Sequence, residues 1–146
     1  MQHRNRWMLV ILLMVGLQLV ACGPSPAKSS KVAPVQIEDI EGSDFKRVVL
    51  TAKAAERLDI QTAPVRDEEV NGTPRLVVPY AAVIYGLKGE TWAYSNPEPL
   101  VFVRQLLNVE YIEGDLAVLL EGPAVGTAVV TVGGAELYGA ETGVSK

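Results

Sequence analysis

The residues best suited to chemistry are scarce in this sequence of 146 residues, which has one cysteine, Cys22, and one histidine, His3. Cys22 follows an apolar run over residues 8–20, MLVILLMVGLQLV, and that run is preceded by Arg4 and Arg6 with no acid. A basic start followed by an apolar run of about a dozen residues is typical of a secretory signal, and it is shorter than a membrane-spanning helix. The position of the thiol therefore indicates covalent modification at a membrane.

The residues around Cys22 resemble the lipobox of bacterial lipoproteins. Ala21 provides the small residue before the cysteine, and Gly23-Pro24 interrupts any helix that would follow. The resemblance implies cleavage between Ala21 and Cys22, attachment of diacylglycerol to the thiol, and acylation of the new amino terminus. The other interpretation is an uncleaved signal anchor with an incidental cysteine. Each buried methylene contributes about 0.8 kcal/mol, so two or three acyl chains would anchor the protein stably to a membrane.

Removal of residues 1–21 changes the chemistry available to the rest of the chain. The remaining 125 residues have 11 basic and 17 acidic side chains, which gives a net charge of −6 and disfavours nucleic acid as a partner. His3 leaves with the signal and Cys22 is acylated, so neither imidazole nor free thiol remains for catalysis or for zinc. We therefore predict a protein that is not an enzyme and that has no cofactor, metal site or catalytic residue.

Residues 22–44 are predicted to be a disordered, lipid-anchored tether. This segment has three prolines, several serines and the acidic stretch Glu38–Asp44, and such a composition buries too little apolar surface to fold. The folded domain is predicted to span residues 45–143.

The folded domain is predicted to be mainly β, a small antiparallel β-barrel or sandwich with one short α-helix. The helix is expected over 52–58, with Thr51 as its N-cap. From residue 75 onward, short apolar runs are separated by turn residues, a pattern that favours six or seven short strands. The longest run, residues 100–109, is expected to bend near Gln105, because its alternation slips there.

An ordered set of short motifs in this region is similar to the membrane-proximal domain of periplasmic adaptor subunits, which are also called membrane fusion proteins of efflux transporters. The motifs are Val78-Pro79-Tyr80-Ala81-Ala82-Val83, Gly89-Glu90-Thr91-Trp92-Ala93-Tyr94, Phe102-Val103-Arg104, Gly114-Asp115, Gly122–Val130 and Gly133. The resemblance covers about residues 45–143 and concerns that domain alone. It implies a domain that docks on the extracytoplasmic face of a membrane transporter.

The aromatic side chains of the predicted strands are the candidate partner-binding residues, namely Trp92, Tyr94, Phe102 and Tyr111. Trp92 and Tyr94 share one face of a strand, because side chains alternate along it. Core packing is the competing interpretation of these residues, since aromatic side chains dominate both cores and interfaces. The carboxylates of Asp67-Glu68-Glu69 could attract a cation, but three successive side chains point in different directions. A solvated turn is therefore the favoured interpretation of these residues.

Two functions are consistent with these features. The first is a lipid-anchored accessory protein of the cell envelope, located outside the cytoplasm, that contacts the membrane through Cys22 and docks on transporter subunits. The alternative is a free-standing lipoprotein that binds a small ligand or a metal through carboxylates.

Overall fold

A computed structural model describes residues 33–143 of the chain. The strands are β1 (Val35–Asp39), β2 (Lys46–Leu50), β3 (Gln61–Pro64), β4 (Arg66–Val70), β5 (Thr73–Pro79), β6 (Ile84–Tyr85), β7 (Thr91–Glu98), β8 (Val101–Glu113), β9 (Leu116–Glu121) and β10 (Ala128–Val132). The helices are α1 (Ala52–Arg57) and α2 (Gly134–Thr142), and a 3₁₀ turn covers Tyr80–Ala82. The predicted mainly β fold is therefore confirmed.

The strands form a curled antiparallel sheet in the order β3-β10-β7-β8-β9-β5-β4. Its first and last strands are consecutive in the chain, because β3 and β4 are separated by Val65 alone. The Val65 amide donates to the carbonyl of Thr127, and the Gly126 amide donates to the carbonyl of Val65, both at 2.8 Å. The chain thus joins the two ends of the sheet at Val65, which gives the curled sheet the character of a small barrel.

Alternating side chains of this sheet pack into separate cores on its two faces. In β7, Ala93 faces an inner core and the adjacent Tyr94 faces an outer core. The inner core consists of Val65, Val78, Ala82, Ala93, Leu107, Ala117, Leu119 and Val129. The outer core consists of Val48, Leu50, Ala54, Tyr94, Phe102, Val130 and Leu137, contributed by the sheet, β2 and both helices.

The hairpin of β1 and β2 extends the fold before Phe45. All five residues of β1 pair with β2, from Val35 opposite Leu50 to Asp39 opposite Lys46. Val35 packs against the outer core while the acidic residues of β1 remain exposed. The expected tether over 22–44 therefore ends earlier than predicted, because cross-strand pairing orders a segment whose composition is mostly polar. Residues 22–32 and the predicted signal over 1–21 lie outside the described residues.

The two helices differ in how well the sequence indicated them. Helix α1 begins after Thr51, whose hydroxyl accepts a hydrogen bond from the Ala54 amide at 3.2 Å, as predicted. Helix α2 was not indicated, since it begins at Gly134 and has no side-chain cap. Its Leu137 is fully buried in the outer core, so packing stabilises the helix where its own residues do little. No helix within residues 33–143 is long and apolar enough to cross a bilayer.

Two strand predictions need correction. Asp67-Glu68-Glu69 was expected to form a solvated turn, but these residues lie in β4 (Arg66–Val70), and the turn is confined to Asn71 and Gly72, both at positive φ. β8 is longer than expected, and its register shifts lie between Asn108 and Tyr111 instead of near Gln105. The irregularity occurs where β8 begins to pair with β9.

Candidate functional site

The four predicted aromatic residues lie in two separate places. Tyr94 and Phe102 are buried in the outer core, and Trp92 is half-buried beside them. Tyr111 is half-buried against a different cluster, formed by Val70, Val77 and Val118 on another part of the sheet. The fold therefore leaves Trp92 and Tyr111 with exposed surface, while Tyr94 and Phe102 serve packing. The predicted modification site, Ala21 and Cys22, lies outside the described residues.

A buried carboxylate on α2 organises the surroundings of Tyr94. The Tyr94 hydroxyl donates to Glu141 Oε2 at 2.5 Å, and an Arg104 Nη atom donates to Glu141 Oε1 at 3.1 Å. The Lys46 amide approaches Glu141 Oε1 at 3.4 Å. The side chains of Glu141 and Arg104 are only 3% and 14% exposed, so their charges compensate each other in a region of low dielectric.

The proton on Tyr94 is held firmly in this arrangement. Burial raises the pKa of the Tyr94 hydroxyl far above its usual value, and the hydrogen bond to the Glu141 carboxylate raises it further. Tyr94 is therefore a neutral donor at physiological pH. The phenol thus donates to the Glu141 carboxylate and positions it.

Three aromatic rings surround the Arg104 guanidinium. Its central carbon lies 4.8 Å from the Trp92 ring centroid, 5.2 Å from that of Phe45 and 5.3 Å from that of Tyr138. Phe45 and Trp92 also meet edge to face, with centroids 5.2 Å apart. Within residues 33–143, Arg104 Nε has no hydrogen-bond acceptor, and the ring faces stabilise that side of the cation. The cage that could bind an external cation is thus occupied by the protein's own arginine.

Arg75 contacts Tyr111, which packs against the cluster of Val70, Val77 and Val118. Its guanidinium lies 5.9 Å from the Tyr111 ring centroid and forms an ion pair with Glu110. Glu110 and Tyr111 are neighbours in β8, and Arg75 lies in β5. The two contacts of Arg75 therefore connect β5 to β8 beside the Tyr111 ring.

A groove of about 520 Å³ lies beside the middle of β8. Its lining includes Ile40, Phe45 and Leu106 as apolar walls and Asn108 and Glu121 as polar ones. The Leu106 side chain is 56% exposed. A second groove of about 480 Å³ shares Leu106, Asn108 and Glu121 and continues toward Tyr85 and Glu90.

The hairpin between β6 and β7 presents apolar side chains to solvent. Leu87 at its tip is 100% exposed and Tyr85 is 55% exposed. Exposed apolar groups in such a position are more typical of contact surfaces than of catalytic sites.

The candidate cation ligands Asp67, Glu68 and Glu69 lie in strand β4. Glu68 forms an ion pair with Arg66 at 2.9 Å, and the neighbouring Asp67 and Glu69 are exposed. Among the described residues, no group of three or more His, Cys, Asp or Glu side chains is placed to hold a metal ion.

Sequence reasoning missed Glu141, the residue that binds both Tyr94 and Arg104. The motif Phe102-Val103-Arg104 had drawn attention to Arg104, but its partner lies 37 positions later in a helix that the sequence did not indicate. The available signal was the spacing of Leu137 and Glu141, which are four residues apart and would share one face of a helix.

Comparison with protein-family models gives no match for this chain, and comparison with curated proteins gives none. Among solved structures, the chain is similar to an NMR structure that encompasses the N-terminal metal-binding site and the membrane-proximal domain of SilB from Cupriavidus metallidurans CH34. The identity is 26% and the TM-score 0.46, over 64% of this chain and 53% of that one. This chain thus spans about half the length of the structure it matches.

Proposed function

We propose that this chain is a lipid-anchored accessory protein outside the cytoplasm, and that it docks on a membrane transporter complex through its β-domain. The proposal joins two sequence features, the lipobox at Cys22 and the adaptor-like motifs after residue 75. It assigns the protein a positioning role and no catalysis.

The observation that carries the proposal is the convergence of separate motifs. Trp92 and Tyr94 come from one motif and Phe102 and Arg104 from another. Tyr94 and Arg104 both bind Glu141, Trp92 packs on the Arg104 guanidinium, and Phe102 shares the outer core with Tyr94. Tyr94 and Arg104 are cross-strand partners in β7 and β8, and the network extends beyond these two strands because Glu141 of α2 binds both side chains. The convergence supports the interpretation of the motifs as parts of one adaptor-like unit.

Anchoring would act by confining the domain near its partner. Strand β1 begins at Val35, so 13 peptide units separate it from Cys22. Fully extended, that length of chain spans at most about 45 Å. The domain would stay within this distance of the membrane, which raises its effective concentration at a transporter without requiring high intrinsic affinity.

Crosslinking in intact membranes tests this proposal. The wild-type chain, purified after crosslinking at native expression, should recover a subunit of an integral membrane transporter, and the matched variant Cys22→Ser should recover much less. Recovery of the wild-type chain alone would contradict docking. Equal recovery by both forms would contradict the role of the anchor.

The alternative of a ligand-binding lipoprotein requires room inside the fold. The interior of the curled sheet is filled by side chains such as Val65, Val78 and Leu119, all nearly inaccessible to solvent. A thermal-shift screen of small apolar molecules and divalent ions discriminates the two functions, because a ligand that binds only the folded state raises Tm with its concentration.

A further inference from the structure

We infer that the groove beside β8 binds a short extended segment of a partner protein, one that carries lysine or arginine next to apolar residues. This inference rests on the proposed docking function and names the surface and the partner chemistry.

The groove lies at an interruption in the sheet. β2 pairs with β8 only as far as Val103, and β9 pairs with β8 from Asn108 onward. Within residues 33–143, no strand is paired along this edge of β8 over residues 104–107. The interval from Val103 to Asn108 is about 17 Å long, enough for about four residues of an extended peptide.

The backbone of Leu106 points into this interval. The carbonyls of Val103 and Leu107 face β7, where they accept hydrogen bonds from Ser95 Oγ at 3.0 Å and Thr91 Oγ1 at 2.7 Å. Alternate residues of an antiparallel strand direct their N–H and C=O groups to opposite edges. The N–H and C=O of Leu106 therefore face the groove, as a peptide that adds a strand requires.

The walls of the groove suit an apolar side chain of the bound segment. Leu106 projects from β8 with more than half of its side chain exposed, and Ile40 and Phe45 border the same groove. Phe45 is fixed by its edge contact with Trp92, so this wall is rigid.

The charges at the groove favour a basic segment. Glu121 lines it, and Glu41 and Asp44 are exposed in the loop that contributes Ile40 and Ser43. Two of the nearby cations are already paired, since Arg104 binds Glu141 and Lys46 Nζ lies 3.6 Å from Asp39. The net acidic rim complements lysine or arginine in the partner.

Peptide titration of the full chain in detergent tests the inference. The ¹⁵N-labelled protein is titrated with acetyl-Val-Lys-Val-Lys-Val-amide, with its glutamate counterpart, and with the lysine peptide N-methylated along its backbone. The lysine peptide should shift the Leu106 amide resonance, with half-saturation at a concentration about fivefold lower than for the glutamate peptide. The N-methylated peptide should leave Leu106 unshifted, because it cannot donate backbone hydrogen bonds.

Charge reversal provides the matched control. Glu121→Lys should remove the preference for the lysine peptide, whereas Glu113→Lys, an exposed acid at the far end of β8, should preserve it. The inference is overturned if the lysine peptide leaves Leu106 unshifted, if both charged peptides bind alike, or if the N-methylated peptide binds equally well.

Photo-crosslinking in membranes separates this inference from the proposed function. A photoreactive residue at position 106 should capture the transporter subunit, while one at the exposed Ile112 should not. Capture from position 112 but not from position 106 would contradict binding of the partner in the groove, while docking on a transporter would remain supported. If neither position captures the subunit although the peptide binds at Leu106, docking on a transporter is contradicted, while peptide binding in the groove remains supported.

Discussion

The carboxylate of Glu141 accepts a 2.5 Å hydrogen bond from the Tyr94 hydroxyl across 47 positions of sequence. The same carboxylate binds Arg104, whose guanidinium lies among the rings of Trp92 and Tyr138. One acid thus attaches helix α2 to β7 and β8, two of the strands that carry the adaptor-like motifs. Loss of this attachment should separate α2 from the sheet before the sheet itself opens.

The substitution Glu141→Gln should destabilise the protein strongly. Arg104 would keep its buried charge without a counter-ion, and breaking a buried pair in this way typically costs about 3–5 kcal/mol. Urea unfolding followed by circular dichroism measures the loss. The control Glu136→Gln changes the exposed acid of the same helix and should cost below about 1 kcal/mol. Equal effects of the two substitutions would contradict the importance of the Glu141 ion pair.

The substitution Tyr94→Phe should destabilise the protein by about 1–2 kcal/mol near neutral pH, since it removes one buried hydrogen bond to a charged acceptor. The folded state holds the pKa of Tyr94 far above its usual range, mainly through burial. Above about pH 10 the unfolded chain releases the Tyr94 proton while the folded chain retains it, so this contribution to stability declines as the pH rises.

The difference in unfolding free energy between wild type and Tyr94→Phe should therefore narrow above about pH 10. Urea unfolding at a series of pH values, with tyrosinate absorbance followed in parallel, provides the measurement. A difference that stays constant across this range would mean that Tyr94 ionises as readily in the folded chain as in the unfolded one.

Local patterns were enough to predict much of the fold. Thr51 caps α1 as expected, and the turn at Gly114-Asp115 separates β8 from β9, which pair with each other. These features depend on neighbours in sequence, which is why composition and spacing indicate them. The fold class follows from the same local pattern, in which short apolar runs are separated by turn residues.

Features that depend on distant contacts were not predictable from the sequence. β1 is mostly exposed apart from Val35, and it becomes a strand because β2 offers a complete pairing partner. Helix α2 begins with two glycines, and it forms because Leu137 and Glu141 find partners on the sheet. The groove beside Leu106 arises from where β2 and β9 stop pairing, which no local pattern records.

The dependence of α2 on packing is itself testable. Leu137→Ala should cost about 2–5 kcal/mol, because Leu137 is fully buried in the outer core and its removal leaves a cavity. The matched control Leu87→Ala changes a fully exposed leucine and should lie within about 0.5 kcal/mol of wild type. Denaturant unfolding compares the two, and similar costs would contradict the structural role assigned to α2.

The proposed lipidation of Cys22 gives the last prediction. When cells are grown with labelled palmitate, the wild-type chain should incorporate the label and sediment with membranes. Cys22→Ser should abolish labelling, because a hydroxyl does not replace the thiol that receives the diacylglycerol, and the control Ser25→Ala should preserve it. A Cys22→Ser chain that remains fully in the membrane fraction would indicate that the apolar run over 8–20 is an uncleaved anchor. The protein would then be held in the membrane by that apolar run, and the groove beside β8 would remain the candidate surface for a partner.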